Sequence, residues 1–271
     1  MPGKIKYVYP LLSKLDIGIV RFGGPGMGNL LFPVARALIF AHKTGAVFVP
    51  PTWAQIKLGP TLRREADKRI YWGVFKRRGR DEWLLWLTVI YFHLIRYLGG
   101  NNNIQFESGL ARYFKDLEGG RDLLRHWLIE NSLNKPSHQK TDIGIHFRQG
   151  DFVGKDPSAH NSRVSLSWLQ NALDHAVKLY GDGTPAITIF SDGDTRSLQR
   201  MAAQYGRVRI DDSENAIQAL LNLSKSTIIV ASRSTFSGWG SYLGDAITIW
   251  PYGFELEQYN YIRPGKDIFV R

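Results

Sequence analysis

The chain has 271 residues, of which 44% are hydrophobic and 13% aromatic, so it can bury a substantial core and is not expected to be disordered. It contains no cysteine, which excludes disulfides, thiolate metal ligands and a thiol nucleophile. The formal net charge of +11 is uneven: residues 1–140 carry 22 Lys and Arg against 10 Asp and Glu, whereas residues 141–271 carry 13 against 14.

The positive charge of the N-terminal half limits the classes of partner. A basic surface can bind nucleic acid, but the sequence holds none of the familiar nucleic-acid-binding signatures, so we expect no nucleic-acid partner. A basic face toward an anionic membrane or a phosphorylated acceptor fits the composition at least as well. Residues 1–15 lack the sustained apolar segment of a signal peptide, and we therefore expect a cytoplasmic protein.

The first elements along the chain are a strand, a loop and a helix. Residues 16–22 are predicted to form the strand and residues 30–42, approximately, the helix, with a further strand at residues 47–49. The spacing of the glycines between the first two elements is not that of a dinucleotide-binding fingerprint. We expect this loop to be a tight turn that brings backbone close to a ligand or to the facing domain. Its residues are Gly23, Gly24, Gly26, Gly28 and Asn29.

Residues 76–98 combine a basic cluster with an apolar segment. Lys76, Arg77, Arg78 and Arg80 precede residues 83–98, in which all but three residues are apolar or aromatic. Sixteen residues of helix would extend about 24 Å, which is short of the roughly 30 Å of a bilayer core, so a transmembrane helix is not expected. The segment is either a helix packed into the N-terminal domain or a peripheral contact with the inner face of the membrane.

The second half of the chain alternates strands and helices, which predicts an α/β fold with a parallel sheet. A polar linker at residues 131–140 divides the chain into an N-terminal domain, residues 1–135, and a C-terminal domain, residues 136–271. The predicted strands of the C-terminal domain are residues 142–147, 186–190, 208–210, 227–230 and 246–250, and the predicted helices between them are residues 165–180, 195–205, 214–223 and 235–243.

Two motifs follow the predicted strands with charged residues. His146, Arg148 and Asp151 belong to HFRQGDF, where the guanidinium of Arg148 matches phosphate oxygens and Asp151 can orient it. Asp192 and Asp194 belong to FSDGD, which is either a strand-to-helix turn or a pair of carboxylates that chelates a divalent cation. Both motifs lie where a doubly wound sheet binds its ligands.

A third motif, ASRSTFSGWGSYL, leaves the strand at residues 227–230 and enters a helix. It presents hydroxyls and unpaired backbone N–H groups at a helix N-terminus, which is an arrangement suited to an anionic diphosphate. A structural helix cap accounts for one Ser or Thr but not for several. The residues concerned are Ser234, Thr235, Phe236 and Ser237.

Together the motifs resemble those of the α-1,2-fucosyltransferases of glycosyltransferase family 11. That family carries GGLGNQMFQYA, HxRRGDY, FSDD and NSTFSWWGAWL in this order, and this chain carries GGPGMGNLLFPVA, HFRQGDF, FSDGD and SRSTFSGWGSYL. The resemblance implies a GT-B architecture of two Rossmann-like domains facing a cleft. It also implies inverting transfer from GDP-fucose to a glycan or lipid-linked glycan acceptor, without a metal or other cofactor.

The resemblance also assigns roles to individual residues. Arg148 would contact the β-phosphate, His146 the guanine-ribose side and Asp192 the nucleotide, while Ser234 to Ser237 would line the pyrophosphate. Two departures, Gln149 for the second Arg of the family and Gly238 for a Trp, leave open a catalytically inert nucleotide- or sugar-binding homologue. A metal-dependent transferase that uses Asp192 and Asp194 is the other alternative. From Gln149 we also predict that Gln149→Arg would tighten binding of guanosine diphosphate.

Overall fold

The computed structural model describes residues 5–16, 20–56, 70–76, 82–99, 103–149, 163–253 and 262–271. The chain divides into two compact units, the first of which ends at Leu133 and the second of which begins at Asn134. The boundary predicted from the sequence lies after residue 135. Each unit has its own sheets and helices, and the fold class is α/β, as predicted.

The described residues of unit 1 form two small sheets and three α-helices. The first sheet is parallel, with β1 at its centre and β4 and β6 at its edges. The second sheet joins β2, β3 and β5. The strands are β1 (Tyr7–Leu11), β2 (Leu15–Asp16), β3 (Arg21–Phe22), β4 (Val47–Phe48), β5 (Gln55–Ile56) and β6 (Ile104–Ser108), and the helices are α1 (Met27–Thr44), α2 (Glu82–Tyr97) and α3 (Arg121–Asn131).

The prediction of a single strand over residues 16–22 is wrong. The described residues at its two ends form the separate strands β2 and β3, which pair antiparallel, with Asp16 opposite Arg21. β3 then pairs parallel with β5, so that Arg21 lies opposite Gln55. A pattern of apolar residues does not reveal a reversal of the chain between two strands this short.

The glycine-rich loop connects β3 to α1. Gly23 and Gly24 have φ angles of 68° and 114°, which are strained for residues with a side chain, and this explains why glycine occupies both positions. α1 begins at Met27, three residues before the predicted start, because the carbonyl of Gly26 already accepts the N–H groups of Asn29 and Leu30. Gly28 and Asn29 therefore lie in the first turn of the helix and not in the loop.

The described residues of unit 2 form a six-stranded parallel sheet with the order β12-β11-β10-β7-β8-β9 and helices that connect its strands. The sequence correctly predicts five of these strands and the helices between them, but not the last strand. The strands are β7 (Ile143–Phe147), β8 (Ala186–Ser191), β9 (Arg207–Ile210), β10 (Ile228–Val230), β11 (Ile247–Pro251) and β12 (Asp267–Val270), and the helices are α4 (Leu166–Tyr180), α5 (Arg196–Ala202), α6 (Ala216–Leu223) and α7 (Thr235–Gly244).

One hydrophobic core of unit 2 lies between a face of the sheet and α4. Ile143, Ile145 and Phe147 of β7 are completely buried, as are Leu169 and Leu173 of α4. From β7 the chain adds β8 and β9 on one side and then β10 to β12 on the other. The order of the strands therefore reverses between β7 and β10, and in such sheets ligands bind at the carboxyl ends of the strands beside this reversal.

Candidate functional site

Three sequence motifs converge at the carboxyl edge of β7, β8 and β10. β7 pairs with β8 on one side and with β10 on the other, and all three strands run parallel. The residues that follow them therefore meet at one edge of the sheet, as the sequence predicts. The motif after β7 contributes Arg148, the motif after β8 contributes Asp192, and the motif after β10 contributes the first turn of α7.

Arg148 and Asp192 form an ion pair at this edge. Nη1 of Arg148 lies 2.6 Å from Oδ2 of Asp192, and the two side chains are 23% and 20% exposed. Oδ1 of Asp192 accepts the backbone N–H of Gln149 at 2.7 Å. Asp192 therefore fixes both the guanidinium of Arg148 and the backbone that carries it. The sequence prediction gave the orienting role to Asp151, which lies outside the described residues.

Ser232 braces the end of β7 and was not singled out from the sequence. Its hydroxyl donates to the carbonyl of His146 at 2.6 Å and accepts the backbone N–H of Arg148 at 2.9 Å. The side chain is almost completely buried. A serine immediately after a buried strand was the available signal, because a hydroxyl can satisfy the unpaired backbone groups where two neighbouring strands diverge.

The N-terminus of α7 is capped by Ser234. Its hydroxyl accepts the backbone N–H of Ser237 at 3.2 Å. Thr235 and Phe236 are partly exposed in this first turn, whereas Ser237 is completely buried. The helix N-terminus and its partial positive charge thus lie at the same strand end as the motifs of Arg148 and Asp192.

His146 packs beneath the first turn of α7. Its Nδ1 lies 2.6 Å from Oγ of Ser237, and its ring stacks on Phe236 with centroids 4.9 Å apart. Burial, together with the positive charge of Arg148, lowers the pKa of His146 from 6.5 to about 3, so the imidazole is neutral near pH 7. The hydroxyl of Ser237 is thus used inside the protein, which differs from the predicted contact with a pyrophosphate.

Gln149 is part of the scaffold of the β8–α5 connection. Its side-chain nitrogen donates to Oγ of Ser191 at 3.0 Å and to the carbonyl of Asp194 at 2.8 Å, and the residue is 7% exposed. A side chain at Gly193 would collide with Gln149, since an added Cβ would lie 2.7 Å from its amide carbon. The structure therefore removes the basis for predicting tighter nucleotide binding by Gln149→Arg.

Asp192 and Asp194 have separate cationic partners. Asp194 accepts the backbone N–H of Arg196 at 3.0 Å and its side-chain Nε at 3.1 Å, which lowers the pKa of this carboxyl. Asp192 pairs with Arg148 as described above. Within the described ranges, no group of three or more His, Asp or Glu residues is arranged to hold a metal ion.

The remaining predicted residues belong to the other unit. Gly23, Gly24 and Gly26 form the loop before α1, and Gly28 and Asn29 begin that helix. Gly26 occupies the N-cap position without a side chain that could cap the helix. Gly23, Gly24 and Gly26 precede the helix and have no side chains, so a neighbouring group can approach the backbone of this loop closely.

The family described as Glycosyl transferase family 11 matches residues 118–267 of this chain, which is more than half of its length. No curated protein matches by sequence. Among solved structures, NodZ α-1,6-fucosyltransferase soaked with GDP-fucose is 14% identical at a TM-score of 0.42, with 89% of this chain and 93% of NodZ covered. A further similar structure is that of fucosyltransferase NodZ from Bradyrhizobium.

Two further solved structures are similar over almost the whole chain. POFUT1 in complex with GDP is 11% identical at a TM-score of 0.47, with 99% of this chain and 98% of POFUT1 covered. The heptosyltransferase WaaC of E. coli is 10% identical at a TM-score of 0.49, with 98% and 93% covered. The family match spans the described motifs of unit 2 from His146 to Ser237. This chain belongs to glycosyl transferase family 11 and is a glycosyltransferase.

Proposed function

We propose that the protein transfers fucose from GDP-fucose to a hydroxyl of a glycan acceptor, with inversion at the anomeric carbon and through an α-1,2 linkage. The observation that carries the proposal is the ion pair of Arg148 with Asp192, whose side-chain atoms lie 2.6 Å apart. This pair lies at the sheet edge where α7 also begins. A guanidinium and a helix N-terminus are both suited to a diphosphate. The order of the four family motifs supports GDP-fucose as the donor.

The transfer requires one bond to form and one to break. The acceptor hydroxyl oxygen attacks the anomeric carbon, and the bond from that carbon to the β-phosphate oxygen breaks, so the electron pair and a negative charge remain on the phosphate. Arg148 and the first turn of α7 would stabilise this charge as it develops. The acceptor proton leaves to a base or to solvent. Because Asp192 orients Arg148 beforehand, little reorganisation is required during the reaction.

The proposal includes transfer without a bound metal ion. Asp192 is bonded to Arg148 and to a backbone N–H, and Asp194 is bonded to Arg196, so each carboxylate already has positive or N–H partners. Positive charge for the leaving phosphate would come from Arg148. Activity should therefore persist in EDTA, whereas loss in EDTA with recovery by manganese would favour the metal-dependent alternative.

The experiment that tests the proposal separates binding from turnover. Titration calorimetry should show binding of guanosine diphosphate in preference to uridine and adenosine diphosphates, and wild-type protein should release guanosine diphosphate from GDP-fucose in the presence of acceptor glycans. Binding without release would identify an inert homologue. Preference for another nucleoside diphosphate would contradict the proposed donor.

We also propose that the protein is cytoplasmic and that α2 attaches it to the inner face of the membrane, where a lipid-linked glycan acceptor would be presented. α2 buries Val89 and Phe92 against Tyr9 and Leu11 of β1, but its opposite side is apolar and exposed. The exposed residues of this apolar face are Leu84, Leu87, Ile90, Tyr91, Leu94 and Tyr97, and the exposed Leu98 follows directly after the helix.

Charge supports an anionic membrane as the partner of this apolar face. Residues 76–80 carry four Lys or Arg immediately before the helix, and residues 1–140 carry the whole positive excess of the chain. Basic residues beside an exposed apolar helix are typical of peripheral binding to anionic lipid. No described helix is long and apolar enough to cross a membrane.

Sedimentation with vesicles tests the membrane proposal. Binding should require phosphatidylglycerol, weaken as salt is raised, and fall when Leu87 and Leu94 are both replaced by Glu. The matched control replaces Leu166 and Leu179 of α4 by Glu, because these residues are similarly exposed but lie in unit 2. Equal binding to phosphatidylcholine vesicles, or no effect of the α2 substitutions, would contradict the proposal.

A further inference from the structure

Two buried polar side chains beside the glycine-rich loop have atoms that find no hydrogen-bond partner among the described residues. Arg21 is 0% exposed and Gln55 is 1% exposed, and the two lie opposite each other on the parallel strands β3 and β5. Nη2 of Arg21 donates to the carbonyl of Trp53 at 3.1 Å. Among the described residues, however, Nε and Nη1 of Arg21 and both polar atoms of the Gln55 amide have no hydrogen-bond partner.

Such groups require an explanation, because burying polar atoms without partners is costly. Each unsatisfied donor or acceptor carries a desolvation penalty, which is larger when the group is charged. Burial also lowers the pKa of Arg21, which reflects the same penalty on its charge. Buried polar groups that a fold leaves unpaired are most readily explained by a ligand or an ordered water that completes their hydrogen bonds.

The glycine-rich loop lies directly against these unpaired groups. A Cβ added at Gly24 would be 3.1 Å from Oε1 of Gln55 and 3.6 Å from Nη1 of Arg21. Gly24 also has a φ of 114°, so the loop meets the pair with backbone alone. Because the unpaired atoms are closed from solvent, a ligand would reach them only when a neighbouring segment, such as this loop, moves aside. A loop with Gly at both 23 and 24 has the backbone freedom for such a movement.

The charges around the pair favour a neutral ligand over a phosphate. Asp16 lies opposite Arg21 on the neighbouring strand β2, and its electrostatic attraction raises the pKa of Arg21 against the effect of burial. The carboxylate of Asp16 also accepts the hydroxyl of Tyr9 at 3.2 Å. Because Asp16 is the counter-ion of Arg21, these two side chains together have little net positive charge that could attract a phosphate.

We propose that Arg21 and Gln55 bind a hydroxyl group of the glycan acceptor. A sugar hydroxyl accepts one hydrogen bond from the guanidinium and donates another to the amide oxygen, which matches the two kinds of unpaired atom. The inference rests on the proposed function, since it takes the acceptor to be a glycan. It assigns to unit 1 two specificity-determining residues that no sequence motif singled out.

Gln55→Met tests this site, because Met has nearly the same shape as Gln but no polar end. Binding of galactose-, glucose- and N-acetylglucosamine-terminated oligosaccharides is measured by titration, with guanosine diphosphate measured separately and the melting temperature recorded. We expect the affinity for the preferred oligosaccharide to fall about tenfold or more, with unchanged affinity for guanosine diphosphate. The melting temperature should not fall, because the substitution removes an unpaired buried amide.

Two further variants sharpen the test. Gln55→Glu places a carboxylate beside Arg21 and occupies its donors, so it should also weaken oligosaccharide binding. Gln105→Met is the matched control, since Gln105 is in the same unit and its amide already donates to Glu107 at 3.3 Å. The control should leave oligosaccharide affinity unchanged.

The results separate this inference from the proposed function. Unchanged oligosaccharide affinity in Gln55→Met overturns the inference whatever happens to stability, and a lower melting temperature in that case would identify a structural water. Failure of the wild-type protein to bind any of the oligosaccharides overturns it as well. Wild-type protein that binds an oligosaccharide through Gln55 but does not bind guanosine diphosphate would overturn the proposed function and leave this site standing.

Discussion

Replacing Arg148 by Lys should severely reduce transfer even though the positive charge is kept. Asp192 holds one terminal nitrogen of the guanidinium at 2.6 Å, and the planar group can direct its other N–H groups toward a phosphate at the same time. A Lys ammonium is a single point of charge on a flexible stem. It would be drawn toward Asp192 and could not keep both partners in fixed geometry.

The expected magnitude follows from the hydrogen bonds that are lost. A hydrogen bond to a charged group contributes about 1.5–3 kcal/mol, so losing one of two bonds to the departing phosphate corresponds to roughly 10- to 150-fold in rate. Arg148→Ala loses both bonds and the charge, and it should cost on the order of 10³-fold or more. The ion pair is about four-fifths buried, so its loss should also lower the free energy of unfolding, by about 1–3 kcal/mol.

The assay measures kcat and KM for GDP-fucose together with the melting temperature. Both variants should lower kcat more than they raise KM, because the interaction strengthens as charge develops on the phosphate. Asp192→Asn is the companion variant, since it can still accept the N–H of Gln149 but no longer carries a charge that orients Arg148. A near-normal kcat in Arg148→Lys would refute the argument from guanidinium geometry.

Three further predictions concern the scaffold around Arg148. The pKa of His146 is lowered from 6.5 to about 3 in the folded protein, so the stability present above pH 6.5 should decrease as the pH falls toward 3, by up to roughly 1.4 kcal/mol per pH unit. Denaturant titrations should show a shallower decrease in His146→Gln. Gln149→Arg should lower the melting temperature without tightening nucleotide binding, because it breaks the hydrogen bonds to Ser191 and Asp194. Tighter nucleotide binding at an unchanged melting temperature would support the prediction made from the sequence. Ser234→Ala should cost about 0.5–2 kcal/mol of unfolding free energy through loss of the helix cap, measured by urea denaturation, and an unchanged midpoint would show that the cap is dispensable.

The sequence predicted the elements of unit 2 well for a physical reason. Its central strands are buried on both faces, so they read as short apolar runs, and amphipathic helices such as Leu166–Tyr180 separate them. The convergence of the motifs could then be deduced, because the carboxyl ends of parallel strands share one edge. In unit 1, the strands β2 and β3 have two residues each, which is too short for any periodicity to appear.

The direction of individual side chains could not be deduced from the sequence. Ser234 and Ser237 occupy the same motif, yet one caps the helix and the other binds His146 inside the protein. Gln149 replaces an Arg of the family, and the sequence alone could not show that its amide is bonded within the β8–α5 connection. Arg21 lies in a stretch predicted as a continuous strand, so its pairing with Gln55 depends on a chain reversal that was not anticipated.

The position of β7 in the middle of its sheet has a consequence for how donor preference can change. β7 is bonded on both sides, and its apolar residues are completely buried, so its amide hydrogens should exchange only when the whole unit unfolds. The backbone that carries His146 and Arg148 is therefore among the stiffest parts of unit 2. A relative with a different nucleotide sugar would have to differ in side chains around this edge, because shifting the strand itself would disrupt the sheet.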